Sequence, residues 1–239
     1  MAGHSKWSQI KRAKGKTDAQ RAKVFTKIGR EIAVAVKLGG VDPNLNSRLR
    51  DTIAKAKSQN MPNDNISRAI KKAGGEIGSI NYENTVYEGY GVNGVAVIVE
   101  CLTDNKNRTA QDIRLAFDKF GGSMGVSGCV SYLFRNCGLI VIERKEGTSE
   151  DEVLSILLDS GAEDFSASED VFEVITDVSN FHEINSTLEK HNFTILSSSL
   201  TKLPSNYITV QDTVKFEKML DMLDDNDDVK EVYHNGLFA

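Results

Sequence analysis

The feature that most constrains the fold is an abrupt change of pattern at Gly74 and Gly75. Before this pair, apolar residues recur at the three- and four-residue spacing of amphipathic helices, and no stretch alternates as a strand does. After it, runs rich in β-branched residues, such as residues 94–100, alternate with amphipathic segments. We therefore expect an all-helical head, residues 1–77, followed by α/β modules.

The sign of the charge changes at the same place. Residues 1–75 contain 17 Lys and Arg against 5 Asp and Glu, a formal net charge of +12, and the remaining residues carry −17. A basic head on an acidic body indicates a polyanionic partner. Because the acidic body would repel phosphate, binding is expected at the head alone.

Three amphipathic helices are predicted in the head. They cover residues 17–38 and 44–59 and a third segment that Asn63 or Asp64 caps, and Leu45 and Leu49 of the second are expected to face the core. Few acids interrupt the outer faces, although a merely soluble helix would mix both signs. The candidate nucleic-acid contacts on these helices are Lys23, Lys27, Arg30, Lys55, Lys57, Arg68, Lys71 and Lys72.

Residues 1–16 precede the first helix and contain no acid and the single tryptophan of the chain. This composition cannot bury a core, so we expect an arm that becomes ordered on phosphate, with Trp7 stacking on a base. The alternative is that Trp7 anchors the arm on the helical core. The candidate contact residues of the arm are Lys6, Trp7, Lys11, Arg12, Lys14 and Lys16.

The acidic body is predicted to contain two α/β modules. Residues 136–205 give the order β-α-β-β-α-β of a ferredoxin-like fold, and this module is expected to be inserted in a discontinuous domain formed by residues 78–135 and 206–239. A linear chain of three domains is the alternative. The inserted module has a formal net charge of −10, so RNA binding by its sheet is rejected in favour of solvation or docking to a basic protein surface.

No motif in the body predicts catalysis. The glycine-rich segment 121–128 lacks the ending of a phosphate-binding loop, and the three cysteines and four histidines show no metal-ligand spacing. In the segment 103–109, Asn107 or Thr109 is expected to cap a helix, and Lys106 and Arg108 are candidates for a secondary anion contact. We therefore predict neither a metal nor a cofactor.

Nothing in the sequence predicts a membrane segment or a signal peptide. No run reaches about 18 apolar residues, and the basic N-terminus lacks an apolar stretch. A soluble cytoplasmic protein is the expectation, with an oligomeric state that the sequence leaves open.

Short segments with distinctive sequence lie along most of the chain, at residues 1–7, 23–27, 30–32, 38–40, 42–43, 54–57, 60–62, 64–66, 68–72, 87–91, 103–109 and 121–122. These segments resemble the YebC/PmpR family, a group that includes the mitochondrial translational activator of cytochrome c oxidase. The resemblance is most specific in the head, thins in the acidic insert and returns weakly at the tail. Two departures are the turn at residues 91–94, which lacks the proline usual there, and Gly29 inside the first helix.

The resemblance implies three domains, no enzymatic activity and a contact role for the basic residues of the head. It implies a DNA-binding transcriptional regulator, and the alternative is a ribosome-associated factor that contacts ribosomal RNA and relieves stalling at proline-rich stretches. A third hypothesis is a scaffold whose head binds acidic proteins. The sequence leaves open the primary partner, DNA or ribosome, and the role of the insert.

Overall fold

Periodic apolar residues account for the three helices of the head, and a capping side chain begins the second. In the computed structural model, which describes residues 18–75, 81–145, 147 and 149–238, these are α1 (Asp18–Gly39), α2 (Ser47–Ser58) and α3 (Asn63–Gly75). Gly40 follows α1 with a φ of 83°, the left-handed conformation that glycine adopts at helix ends. The three apolar stripes meet in one core of Ile28, Ile32, Ala35, Val36, Leu49, Ala56, Met61 and Ile66.

Helix α2 begins three residues later than predicted because Asn46 caps it. The Asn46 side chain accepts a hydrogen bond from the Leu49 amide (3.0 Å) and donates to the carbonyl of Ala35 (2.8 Å). Leu45 therefore precedes the helix, and its side chain is 86% exposed. The expectation that Leu45 faces the core is wrong.

The remaining elements form two α+β modules. In chain order they are β1 (Glu83–Tyr90), β2 (Ala96–Thr103), α4 (Lys106–Lys119), β3 (Ser123–Met124), β4 (Phe134–Glu143), α5 (Glu150–Asp159), β5 (Asp164–Ala167), β6 (Val171–Thr176), α6 (Phe181–Lys190), β7 (Ile195–Pro204), β8 (Ile208–Val210), α7 (Thr213–Asp225), β9 (Val229–His234) and β10 (Gly236–Phe238).

The first module is discontinuous in sequence. Its antiparallel sheet has the strand order β3-β1-β2-β9. Strand β9, from the C-terminal part of the chain, therefore pairs with β2, which precedes the second module in the sequence. Strands β8 and β10 form a separate parallel pair. Helices α4 and α7 cover the sheet, and Phe117, Phe216 and Val99 lie in their common core.

The second module is the inserted one, and its elements follow the ferredoxin-like order. Its sheet is antiparallel with the strand order β5-β6-β4-β7, and Ile140 and Ile142 of β4 pack in the core with residues of α5 and α6. Leu139 and Val141 alternate with them and pack in a second cluster on the opposite face. The predicted fold class, a three-helix head followed by two α+β modules, is confirmed.

One strand differs from its prediction. The sequence suggests separate strands at residues 130–134 and 138–142, whereas β4 is continuous from Phe134 to Glu143 and residues 131–133 form a short 3-10 helix. The carboxylate of Glu88 accepts hydrogen bonds from the amides of Val130 (2.9 Å) and Ser131 (2.8 Å). Because these amides bond to a side chain, they are not available to a strand ladder.

The described residues divide into two compact units by their contacts. One comprises residues 133–206, and the other joins the head to residues 81–132 and 207–238. The predicted boundary at residue 77 lies outside the described residues, so the three-part division remains a prediction. None of the described helices combines the length and the apolar character needed to cross a bilayer.

Candidate nucleic-acid interface

Three basic residues of α1 face an acidic segment of the protein itself. Lys23, Lys27 and Arg30 follow one another at the spacing that places side chains on a single helix face. This face lies against residues 224–228, the last two residues of α7 and the three that precede β9. We call this segment the acidic turn because four of its five residues are aspartate. The head and the first module are therefore joined by charge.

Lys23, Lys27 and Arg30 form a set that we call the α1 row. Each of these cations has a defined partner in the acidic turn. Lys23 Nζ lies 2.8 Å from Asp225 Oδ1, and Lys27 Nζ donates to the carbonyl of Asp224 at 2.6 Å. Arg30 Nη1 donates to Asp228 Oδ1 (2.5 Å), and it also donates to the backbone carbonyl of Asp227. These three predicted nucleic-acid contacts are thus occupied within the chain.

Asp228 is the centre of this contact, with a side chain only 4% exposed. Its Oδ2 accepts hydrogen bonds from Arg108 Nη2 (2.8 Å), Thr109 Oγ1 (2.8 Å) and Thr103 Oγ1 (3.2 Å), in addition to the Arg30 bond on Oδ1. Burial raises the pKa of Asp228, but the hydrogen bonds from Arg108, Thr109 and Arg30 outweigh it and hold the pKa below its usual value. Asp228 therefore stays charged at neutral pH.

Lys55 of α2 is also paired with carboxylates. Its Nζ lies 2.9 Å from Glu31 Oε1 in the head and 3.2 Å from Glu231 Oε1 in β9. Burial alone would lower the pKa of Lys55, but the charges of Glu231 and Glu31 raise it to about 12. Lys55 is a second charged link between the head and the first module.

The two candidates for a secondary anion contact are held in the same way. Lys106 Nζ lies 2.5 Å from Glu83 Oε2, and Arg108 Nη2 lies 2.7 Å from Asp104 Oδ1 as well as beside Asp228. The α4 cap is Asn105, whose side chain accepts from the Arg108 amide at 3.1 Å. The predicted caps, Asn107 and Thr109, are wrong, because α4 begins at Lys106 and both residues lie inside the helix.

A second set of basic residues in the head points away from these carboxylates. Arg68 is exposed and donates within α3, to the carbonyl of Asp64 and to Asn65 Oδ1. Five other basic residues of α2 and α3 are exposed and make no side-chain hydrogen bond or ion pair with any residue that the structure describes. We call this set the outer basic group: Arg48, Arg50, Lys57, Lys71 and Lys72.

Arg48 and Arg50 are not among the predicted contact residues, although they are exposed on the same helix as Lys57. The signal that could have found them is the same one that selects Lys57, a basic residue outside the apolar stripe. The six predicted contacts in the arm, Lys6, Trp7, Lys11, Arg12, Lys14 and Lys16, lie outside the described residues and remain predictions.

The glycine-rich loop holds an internal carboxylate. Glu88 is buried and accepts from the amide of Gly128 (2.9 Å), as well as from those of Val130 and Ser131. Burial raises the pKa of Glu88, but these three amides lower it further than burial raises it. The amide of Gly128 and those of Val130 and Ser131 are therefore bound to this side chain and not available to a phosphate.

The buried cysteine on β2 lacks the chemistry of a nucleophile. Burial, aided by the charge of Asp228, raises the pKa of Cys101 to about 12. Its thiol is therefore protonated at neutral pH, and the protonated form is a poor nucleophile.

Known proteins similar to this chain match it along almost its entire length. Residues 5–76 match the model of the TACO1/YebC protein N-terminal domain, and residues 82–236 match that of the TACO1/YebC second and third domain. A probable transcriptional regulatory protein of Clostridium beijerinckii is 58% identical over 240 residues, covering 100% of this chain and 98% of the relative. One of Acetivibrio thermocellus, with the same description, is 53% identical and covers 98% of both.

A solved structure is similar as well. The crystal structure of a conserved hypothetical protein from Aquifex aeolicus superposes with a TM-score of 0.80 at 44% sequence identity. The match covers 94% of this chain and 93% of the other. The similarity thus includes the head and both modules.

Proposed function

Since this chain belongs to the TACO1/YebC family, we propose that it regulates transcription by binding DNA through its helical head. The names of the family and of its relatives indicate a regulatory protein rather than an enzyme. DNA binding is our own step beyond those names. The observation that carries it is the outer basic group.

The outer basic group suits a polyanion because its charge is not neutralised locally. Five cations project from α2 and α3, which together contain two acids, Asp51 and Asp64. When such side chains displace the counterions of a phosphate backbone, the protein binds the nucleic acid more tightly without requiring a particular base sequence. The inserted module, with its formal net charge of −10, would keep phosphate away from its own surface and could dock on basic proteins instead.

Ribosomal RNA is the second candidate for the same surface. DNA readers of paired half-sites usually bind as dimers, and the sequence contains no heptad repeat or other obvious seam for one. A monomeric head with cations on the outer faces of two helices would serve equally on the backbone of folded RNA.

The test is a sucrose gradient of cell lysate at moderate salt, with the wild type compared with Lys57→Glu/Lys71→Glu/Lys72→Glu. We expect the wild type to sediment with nucleic acid and the variant to stay at the top, because three cations become anions. Loss of co-sedimentation on DNase treatment supports DNA, and loss on RNase treatment supports ribosomal RNA. Lys55 is left unchanged, because Glu at that position would face Glu31 and Glu231 and would disturb folding.

A matched control carries the same change of charge elsewhere. Lys145, Lys190 and Lys218 are exposed and have no side-chain hydrogen bond or ion pair within the described ranges. The triple Lys→Glu variant at these positions should sediment as the wild type does. Equal sedimentation of the outer-group variant and the wild type would contradict the proposed function.

A further inference from the structure

The geometry points to an internal competitor for nucleic acid: the acidic turn, together with Glu231, occupies cations of the head that a phosphate backbone would otherwise bind. This inference rests on the proposed function and concerns its regulation. In the structure, the acidic turn and Glu231 bind four cations of the head: Lys23, Lys27, Arg30 and Lys55. Nucleic acid bound first at the outer basic group would displace the acidic turn from these four.

The outer pairs of this contact are exposed enough to exchange. The side chains of Lys23 and Asp225 are 40% and 62% exposed, and those of Lys55 and Glu231 are 35% and 42% exposed. Exposed ion pairs contribute little to stability, and salt screens them. A polyanion at high local concentration can therefore replace these carboxylates.

The part of the contact around the acidic turn is largely polar. The crevice there is lined mostly by charged residues: Lys27, Arg30, Glu31, Leu102, Asp227, Asp228, Val229 and Lys230. Apolar residues outside both cores, such as Val34, Ile98 and Tyr233, are buried as well. The exchange therefore concerns the charged side chains of this crevice, and the buried apolar residues stay packed.

The acidic turn keeps internal hydrogen bonds when the cations of the head leave it. If Arg30 withdraws, Asp228 still accepts hydrogen bonds from Arg108, Thr109 and Thr103. The buried carboxylate therefore keeps partners in its own module, and no uncompensated charge is left behind. In the head, Lys55 likewise keeps Glu31.

The charges also favour the exchange. From Lys23 to Arg30 the α1 row extends about 10 Å along the helix axis, at 1.5 Å per residue. Duplex DNA presents about six phosphates over that length when both strands are counted, at one charge per 1.7 Å, and about three on one strand. The acidic turn ends after four carboxylates, whereas a duplex continues past the row in both directions, so the duplex is the stronger polyanion.

The first arm of the test weakens the competitor. Asp225→Asn/Glu231→Gln removes the partners of Lys23 and Lys55 that lie in the first module, and it leaves Asp228 and the Lys55–Glu31 pair intact. The control, Asp118→Asn/Asp221→Asn, makes the same change of charge at two exposed acids with no side-chain bond to another described residue. We expect the first variant to bind a labelled 20-base-pair DNA duplex or 20-nucleotide RNA three- to tenfold more tightly than the control.

The second arm observes the contact directly in the wild-type protein. A carbodiimide joins an amine to a carboxylate that touches it, so it should link Lys23 to Asp225 and Lys55 to Glu231. Mass spectrometry should show both links decreasing when the same duplex or RNA is added. The Lys106–Glu83 link, which lies within the first module, should be unchanged.

The outcomes separate this inference from the proposed function. Equal affinity of the two double variants, or undiminished Lys23–Asp225 and Lys55–Glu231 links in the bound protein, would overturn the inference and leave nucleic-acid binding standing. If neither the wild type nor Asp225→Asn/Glu231→Gln binds either probe, both fail. Binding by that variant alone would support an internal competitor strong enough to block the wild type.

Discussion

At the scale of single residues, Asp228 determines how the head, α4 and β9 are held together. Four side chains donate to its carboxylate, and two of them, Arg30 and Arg108, carry a positive charge. Removing a buried charge that is paired in this way leaves its partners without compensation. The acidic turn therefore has one anchoring residue, Asp228, and several exchangeable ones.

Asp228→Asn should lower the free energy of unfolding by about 3 kcal/mol at neutral pH, because the amide cannot serve both arginines as an anion does. Urea denaturation would measure this decrease. Asp221→Asn is the control, since Asp221 makes no side-chain bond with a described residue, and it should change stability by less than about 0.5 kcal/mol.

The stability difference between the wild type and Asp228→Asn should depend on pH. The pKa of Asp228 is lower in the folded protein than in the unfolded chain, so its stabilisation is complete above the unfolded value of about 4 and is lost as the pH falls through the folded value. The difference between wild type and Asp228→Asn should therefore shrink below about pH 4. A difference that stays constant down to about pH 3 would contradict this assignment.

At the scale of elements, α1 contains a glycine that nothing in the fold requires. Gly29 is in mid-helix, and a Cβ built there would meet no described atom within 4 Å beyond the local backbone of the helix itself. Glycine costs a helix about 1 kcal/mol relative to alanine, because the unfolded chain loses more freedom. Gly29→Ala should therefore raise the free energy of unfolding by about 0.5–1 kcal/mol, measured by urea denaturation.

Gly138 in β4 provides the contrast. A Cβ there would collide with the side chains of Thr176 and Phe181, so Gly138→Ala should destabilise by about 1–3 kcal/mol. A Gly29→Ala variant that is less stable than the wild type would show that α1 is not the regular, unobstructed helix described above.

The elements that the sequence predicts well are those with strong local periodicity. All three head helices are predictable because their apolar stripes repeat over several turns. The errors lie at boundaries where several residues could cap, as at Asn46 and Asn105, and the cap in each case depends on the fold around it. Strand β10 escapes prediction because its three residues pair with β8 in a short parallel ladder that no local pattern indicates.

At the scale of the whole molecule, charge counting locates the basic head but does not show which cations are free. Lys23 and Asp225 are 202 positions apart, and no local pattern indicates that they meet. In the sequence the acidic turn resembles an ordinary helix end, although its four aspartates are the main partners of α1. The sequence therefore predicts a polyanion-binding head, and the fold separates the outer basic group from the paired cations.

The measurement that tests the central claim most directly is the salt dependence of binding to duplex DNA. Removing one lysine that binds a phosphate should reduce the slope of log K against log salt by about 0.9. We predict that Lys57→Ala/Lys71→Ala/Lys72→Ala flattens the slope by about 2 to 3, while Lys145→Ala/Lys190→Ala/Lys218→Ala leaves it unchanged. Identical slopes and affinities for both variants would contradict binding through the outer basic group.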